Sequence, residues 1–124
     1  ISADTVVAVS NEILGKPVDK EDARRMINLL SGKTHQVYTG VTLALKGNSI
    51  TFSEKTDVTF FPLSDEEIEE YISSKEPYDK AGAYGIQGKA SLLVEGINGD
   101  YFNVVGFPVA RVKRELLKFL KNTN

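Results

Sequence analysis

The 124-residue sequence has no cysteine, no tryptophan and a single histidine. Without thiols there is no disulfide framework, no thiolate zinc site and no cysteine nucleophile, and one imidazole cannot make a multi-histidine metal site. An excess of basic residues is missing too: 15 Lys and Arg stand against 17 Asp and Glu, a formal charge of -2. Sequence-independent binding to a nucleic-acid backbone needs cations clustered along a groove, so any anionic ligand must be small and locally held. Long apolar runs, low-complexity stretches, repeats and Pro/Ser-rich linkers are absent, which excludes membrane-spanning helices, collagen-like chains and disorder. What remains is 41% hydrophobic and 26% charged, the balance of a globular domain. The length suits one core and one site, hence a single domain over residues 1–124. The sequence opens Ile1-Ser2-Ala3-Asp4, with neither an initiator methionine nor a basic-then-apolar leader, and reads as a fragment or processed piece.

Hydrophobic patterning interleaves strands with helices. Residues 5–9 are a β-branched run short enough for a buried strand, with Asp4 at its front edge and Asn11-Glu12 as a reversal. Ala23, Met26, Ile27 and Leu30 recur at helical spacing between Asp19, a good N-cap, and Gly32, a good stop. Val37, Thr39, Val41, Leu43 and Leu45 alternate with more polar neighbours, and Gly47-Asn48 supplies turn chemistry before a second alternating stretch at 50–60. A long antiparallel hairpin is the consequence. Ser64 followed by Asp65-Glu66-Glu67 is a capping box opening a helix with Ile68, Tyr71 and Ile72 on its apolar side. Its carboxylates complement the helix dipole and face water, so they are not read as a cation site. A strand is expected over 90–97, then an Asn98-Gly99 turn into the short run 101–105. A closing helix follows Pro108, with Val109, Val112, Leu116, Phe119 and Leu120 as its stripe. The class is mixed α/β.

Three constellations can carry chemistry. Ala3-Asp4-Thr5-Val6-Val7 puts a carboxylate and a hydroxyl at the end of an apolar strand, where packing fixes the direction of a metal ligand or general base; the plainer alternative is an Asp-Thr turn or cap. Leu14-Gly15-Lys16-Pro17 is a tight turn projecting one ammonium, able to neutralise a phosphate or simply be solvated. Neither it nor Ser31-Gly32-Lys33-Thr34-His35 has P-loop spacing, and the latter precedes a strand instead of opening a helix. His35 reads as a structural hydrogen-bonding histidine. The densest segment, residues 75–88, holds three glycines at intervals of three, with Lys80 as a cation and Gln87 as an amide that both donates and accepts. It suits a binding loop or a structural glycine-rich connection equally.

Together these segments resemble the Maf nucleoside triphosphate pyrophosphatases, first known as septum-formation proteins. The resemblance runs through Ala3-Asp4-Thr5, Leu14-Gly15-Lys16-Pro17, Leu30 to His35, residues 75–88, and Gly99-Asp100-Tyr101 through Val105-Gly106-Phe107-Pro108. It implies an α/β fold with a mixed sheet and flanking helices, similar to that of inosine triphosphate pyrophosphatases. The implied activity is hydrolysis of a nucleoside triphosphate to the monophosphate and pyrophosphate with a divalent cation, Mg or Mn, in a cytoplasmic and often homodimeric enzyme. Position by position, Asp4 matches the family's catalytic proton acceptor and the residue that would hold the metal. Thr5 and Gln87 match positions associated with substrate choice, Lys16 a basic residue near the phosphates, and Lys80 a second cation for them. The form of the loop 79–88 resembles the subgroup acting on dTTP and UTP. The family's opening Ser-x-Ser-Pro-Arg-Arg motif does not occur here, so the resemblance implies an N-terminally truncated domain, about the C-terminal two-thirds of the full one. The alternative of another class is a nucleotide-binding or regulatory module linked to septum formation, without turnover.

Overall fold

Alternating apolar residues make β3 (Thr34–Leu45) and β4 (Asn48–Phe60) the centre of the structure. In the computed structural model, which describes residues 1–123, they pair without interruption from Thr34↔Thr59 to Leu45↔Asn48. The turn falls on Lys46 and Gly47, with φ of 51° and 81°, one residue earlier than expected, and Asn48 already belongs to β4. β1 (Ser2–Val9) lies on the other side of β3; β2 (Glu12–Leu14) and β5 (Val94–Asn98) form the edges, giving the order β2-β1-β3-β4-β5. β1 starts ahead of the apolar run, so Asp4 lies inside the strand and not at its front edge.

The α/β class with flanking helices is as expected, but every pairing in the sheet is antiparallel. β2 and β3 run the same way, as a helical crossover between them allows. β1 lies between them, so no parallel neighbours of a mixed sheet occur among the described residues.

Helix α1 (Lys20–Leu30) begins at Asp19, whose side chain accepts from the Asp22 N–H, and buries Ala23, Met26, Ile27 and Leu30. Helix α2 (Asp65–Ile72) has the Ser64/Glu67 capping box and buries Ile68, Tyr71 and Ile72. Both pack over one half of the sheet's inner face, where Val7, Val9, Val37, Val58 and Phe60 form the main core. Glu69 leaves the solvated side of α2 to pair with Arg24, whose hydrogen bond holds the Glu69 carboxyl below its usual range.

Two expected elements differ. Within 90–97 only the last residues are strand: Lys89–Leu92 is a 3-10 turn in which Ser91 N–H donates to Gly88 O and Leu93 N–H to Ala90 O. Burying Ala90 and Leu93 while leaving Leu92 outside demands a period near three, which no strand supplies. The run 101–105 is not extended but a short helix, α3 (Tyr101–Val105), because Asp100 caps it by accepting from the Phe102 N–H. Helix α4 (Val109–Asn122) follows Pro108 and packs Val112 and Phe119 on Val41 and Leu43 at the far end of the hairpin, while Val109 and Leu120 of its expected stripe stay exposed. Between the two apolar clusters lie three buried polar residues, Thr39, Thr56 and Asn103.

Candidate active site

β2 pairs with β1 only from Val7↔Leu14 to Val9↔Glu12, so residues 2–6 have a strand neighbour on the β3 side alone. A cavity of about 330 Å³ lies along this open edge, within the roughly 300–1,000 Å³ of small-molecule sites. Successive strand residues point to opposite faces, yet at an open edge both Asp4 and Thr5 reach the same space. Lys16 enters from the turn after β2, and Lys80 and Gln87 from the loop between α2 and β5. All five residues singled out in the sequence therefore line one cavity.

Local bonds explain how the loop is held there. The Gly82 N–H donates to Gly15 O at 3.1 Å, tying the glycine loop to the turn that carries Lys16. Gly82 has φ of 72°, and a methyl on it would stand 3.0 Å from a Val7 side-chain carbon, so both the backbone angle and the close approach call for glycine. Tyr71 OH donates to Ala83 O at 2.8 Å, and burial pushes its own pKa up. Beyond Gln87, the Glu76 carboxylate accepts from the Lys89 N–H at 2.7 and 3.0 Å. The segment is thus both a structural connection and a wall of the cavity.

The Lys80 ammonium donates to Asp79 Oδ1 at 2.7 Å, and this bond, helped by the charge of Lys16, holds the Asp79 carboxyl below its usual range. Both lysines therefore act on the same exposed carboxylate. An exposed ion pair contributes little, so a phosphate can take over the Lys80 ammonium at small cost. Thr5 Oγ1 lies 2.9 Å from Thr39 Oγ1, and Thr39 in turn donates to the Asn103 carbonyl at 3.1 Å.

His35 is fully buried outside the cavity, its Nε2 2.6 Å from Tyr84 OH. Desolvation lowers its pKa to about 4, so it stays neutral and supports Tyr84, whose ring lines the cavity. Among the described residues no three His, Cys, Asp or Glu side chains gather as a metal cage, and Asp4 is the single carboxylate on the cavity wall. Such a donor set suits a hard cation that takes its other ligands from phosphate oxygens and water, as Mg²⁺ does.

Residues 1–119 match the family described as Maf-like protein. The chain belongs to the Maf family. A dTTP/UTP pyrophosphatase of Bacillus cereus is 56% identical to it over 119 residues, covering 96% of this chain and 62% of that protein. A dTTP/UTP pyrophosphatase of Bacillus anthracis shows the same identity and coverage. This Maf chain thus spans 62% of the length of these relatives. No helix among its described residues is long and apolar enough to cross a membrane.

Part of the cavity wall carried no signal among the residues weighed individually. Val104, Val105 and Gly106 form a third wall, which reading 101–105 as extended would place differently; Asp100, a good cap, was the available cue. Glu76, Thr39 and Asn103 act only through contacts distant in sequence.

Proposed function

We propose that this Maf protein hydrolyses dTTP and UTP to the monophosphate and pyrophosphate. The observation that carries the proposal is the convergence of Asp4, Lys16, Lys80 and Gln87 on one cavity in a chain whose relatives are named dTTP/UTP pyrophosphatases. Water attacks the α-phosphorus, a new P–O bond forms, and the bond to the oxygen bridging to the β-phosphorus breaks, that oxygen leaving on pyrophosphate. The Asp4 carboxylate orients the water and takes its proton. Lys16 and Lys80 offset the charge of the phosphate oxygens, which otherwise repel the nucleophile. Gln87 pairs with the pyrimidine, since one amide matches both a carbonyl and an N–H on the base edge.

A divalent cation fits the donor set: Asp4 would hold it together with substrate oxygens, and it would supply charge neutralisation and a more acidic water. A cytoplasmic homodimer is the form expected for such an enzyme.

Pyrophosphate release from dTTP with Mg²⁺ tests the proposal. Asn at position 4 keeps the shape of the side chain but removes the base, so Asp4→Asn should slow turnover by at least ~100-fold with folding retained, the typical contribution of a general base. Unchanged turnover would remove Asp4 from this role. Nucleotide binding without any pyrophosphate release by the unaltered protein would favour a binding module instead.

A further inference from the structure

Gln87 is exposed at the cavity, and among the described residues its amide makes no hydrogen bond. The backbone alone therefore decides where the amide points. Ahead of it, Ile86 is buried and the Gly88 N–H donates to Gly85 O at 3.2 Å, which folds residues 85–88 into a turn. Behind it stands Glu76. Its two carboxylate oxygens accept from the Lys89 N–H at 3.0 and 2.7 Å, an ionised acceptor making the stronger kind of bond. The same carboxyl group lies against Gly88, where a methyl would stand 2.7 Å from the Glu76 carboxyl carbon and 2.8 Å from Oε1. Glu76 is held by its own neighbours, since Pro77 is buried and Tyr78 OH donates to Ile72 O at 2.7 Å. The contact closes residues 76–89 into a ring that carries both Lys80 and Gln87.

Position matters here because chemistry alone does not select a pyrimidine. Uracil and thymine offer an amide a carbonyl beside a ring N–H, and guanine offers the same pair at its outer edge. That edge lies farther from the sugar, since a purine has the larger ring system. An amide fixed in one place meets one of these edges, whereas an amide on a loose loop meets either.

We infer, on the reading of Gln87 as the residue that meets the base, that Glu76 is its positioning residue: by holding the Lys89 N–H over Gly88, the Glu76 carboxylate fixes the Gln87 amide where a uracil or thymine edge arrives and a guanine edge does not. Glu76 is not part of the cavity wall, so its effect on a ligand passes through the loop.

Calorimetric binding of UTP and GTP to the protein and its variants tests this. The unaltered protein should bind UTP the more tightly by about tenfold, the typical worth of one well-made hydrogen bond. Gln87→Ala should remove that preference. Glu76→Ala should remove most of it with Gln87 still in place, and the double variant should lose no more than Gln87→Ala does, because both changes act on one contact. Glu76→Gln, which keeps an accepting oxygen at the same reach, should retain the preference. Gly88→Ala should lose it although Glu76 is intact, since the methyl pushes the carboxylate aside; this variant also decides the matter should Glu76→Ala fail to fold. A merely structural role for Glu76 would lower both affinities by the same factor and leave their ratio unchanged. That result would overturn the inference, as would equal binding of UTP and GTP by the unaltered protein. A preference that survives Gln87→Ala would instead overturn the reading of Gln87, and failure of UTP to bind would overturn the reading of the cavity; the inference falls with either.

Discussion

Replacing Gly85 by alanine should cost triphosphate affinity and spare stability. The aliphatic stem of Lys80 crosses Gly85 so closely that a methyl there would stand 2.7 Å from Lys80 Cε and 2.8 Å from Cδ, distances at which something must move. What moves is the far end of a flexible side chain. Gly85 is not among the positive-φ glycines, so alanine fits the backbone, and its reduced freedom in the unfolded chain adds roughly 0.4–1 kcal/mol of stability against any local crowding. Folding stability should therefore stay within about 1 kcal/mol of the unaltered protein. Displacing the ammonium removes a hydrogen bond to a charged group, about 1.5–3 kcal/mol, so UTP should bind roughly ten- to a hundredfold more weakly. Urea unfolding and calorimetric titration with UTP measure the two quantities separately. Lys80→Ala should weaken binding by a similar factor, and the double variant by no more than either single one, because both act on one contact. If Gly85→Ala bound UTP at full strength while Lys80→Ala did not, the ammonium would reach the phosphates by a path that does not cross Gly85.

Acid should weaken the fold through His35: below pH 6.5 the unfolded chain takes up a proton that the folded chain refuses until about pH 4, so roughly 2–3 kcal/mol of stability is lost between pH 7 and pH 4.5. Urea titrations should show that loss in the unaltered protein and not in His35→Gln, and equal losses would clear His35 as its cause. Gln87→Ala should change the ratio of kcat/KM among dTTP, UTP and purine triphosphates more than it changes stability; equal losses on every nucleotide would make Gln87 a general support of the loop. Gly82→Ala should destabilise by about 1–3 kcal/mol, from the left-handed backbone and the contact with Val7, and a variant as stable as the parent would show that the loop yields there.

Elements whose signals are local were legible in the sequence. The hairpin was written in the alternation of Val37 through Leu45, α1 in Asp19 and its apolar spacing, and α2 in the Ser64/Glu67 pair, because each depends on neighbours within a few residues. Residues 90–93 and 101–105 misled for the same reason. The apolar pair Leu92-Leu93 runs on into a strand, and the β-branched and aromatic composition of 101–105 favours one, but Ala90 and Leu93 are drawn into the core one turn apart, and Asp100 with Asn103 bends the second run into a helix against β3 and β4. Tertiary contacts overrode propensity at both places. The site followed the same division. Asp4, Lys16, Lys80 and Gln87 stand out in the sequence as polar residue types beside an apolar run or in turns and glycine-rich loops, whereas nothing near Thr39 announces that its hydroxyl will lie 2.9 Å from that of Thr5, 34 residues away.

The buried belt of Thr39, Thr56 and Asn103 divides the inner face of the sheet into two apolar territories of unequal size. The smaller one, Val41 and Leu43 with Val112 and Phe119 of α4, contributes nothing to the cavity wall. Its few contacts make it the weaker of two cooperative units, so the hairpin tip and α4 can open and exchange their amide hydrogens while the larger unit, with the cavity on its border, stays closed. Ligand binding would then slow exchange around β1 and residues 80–88 and leave the rate at the tip unchanged.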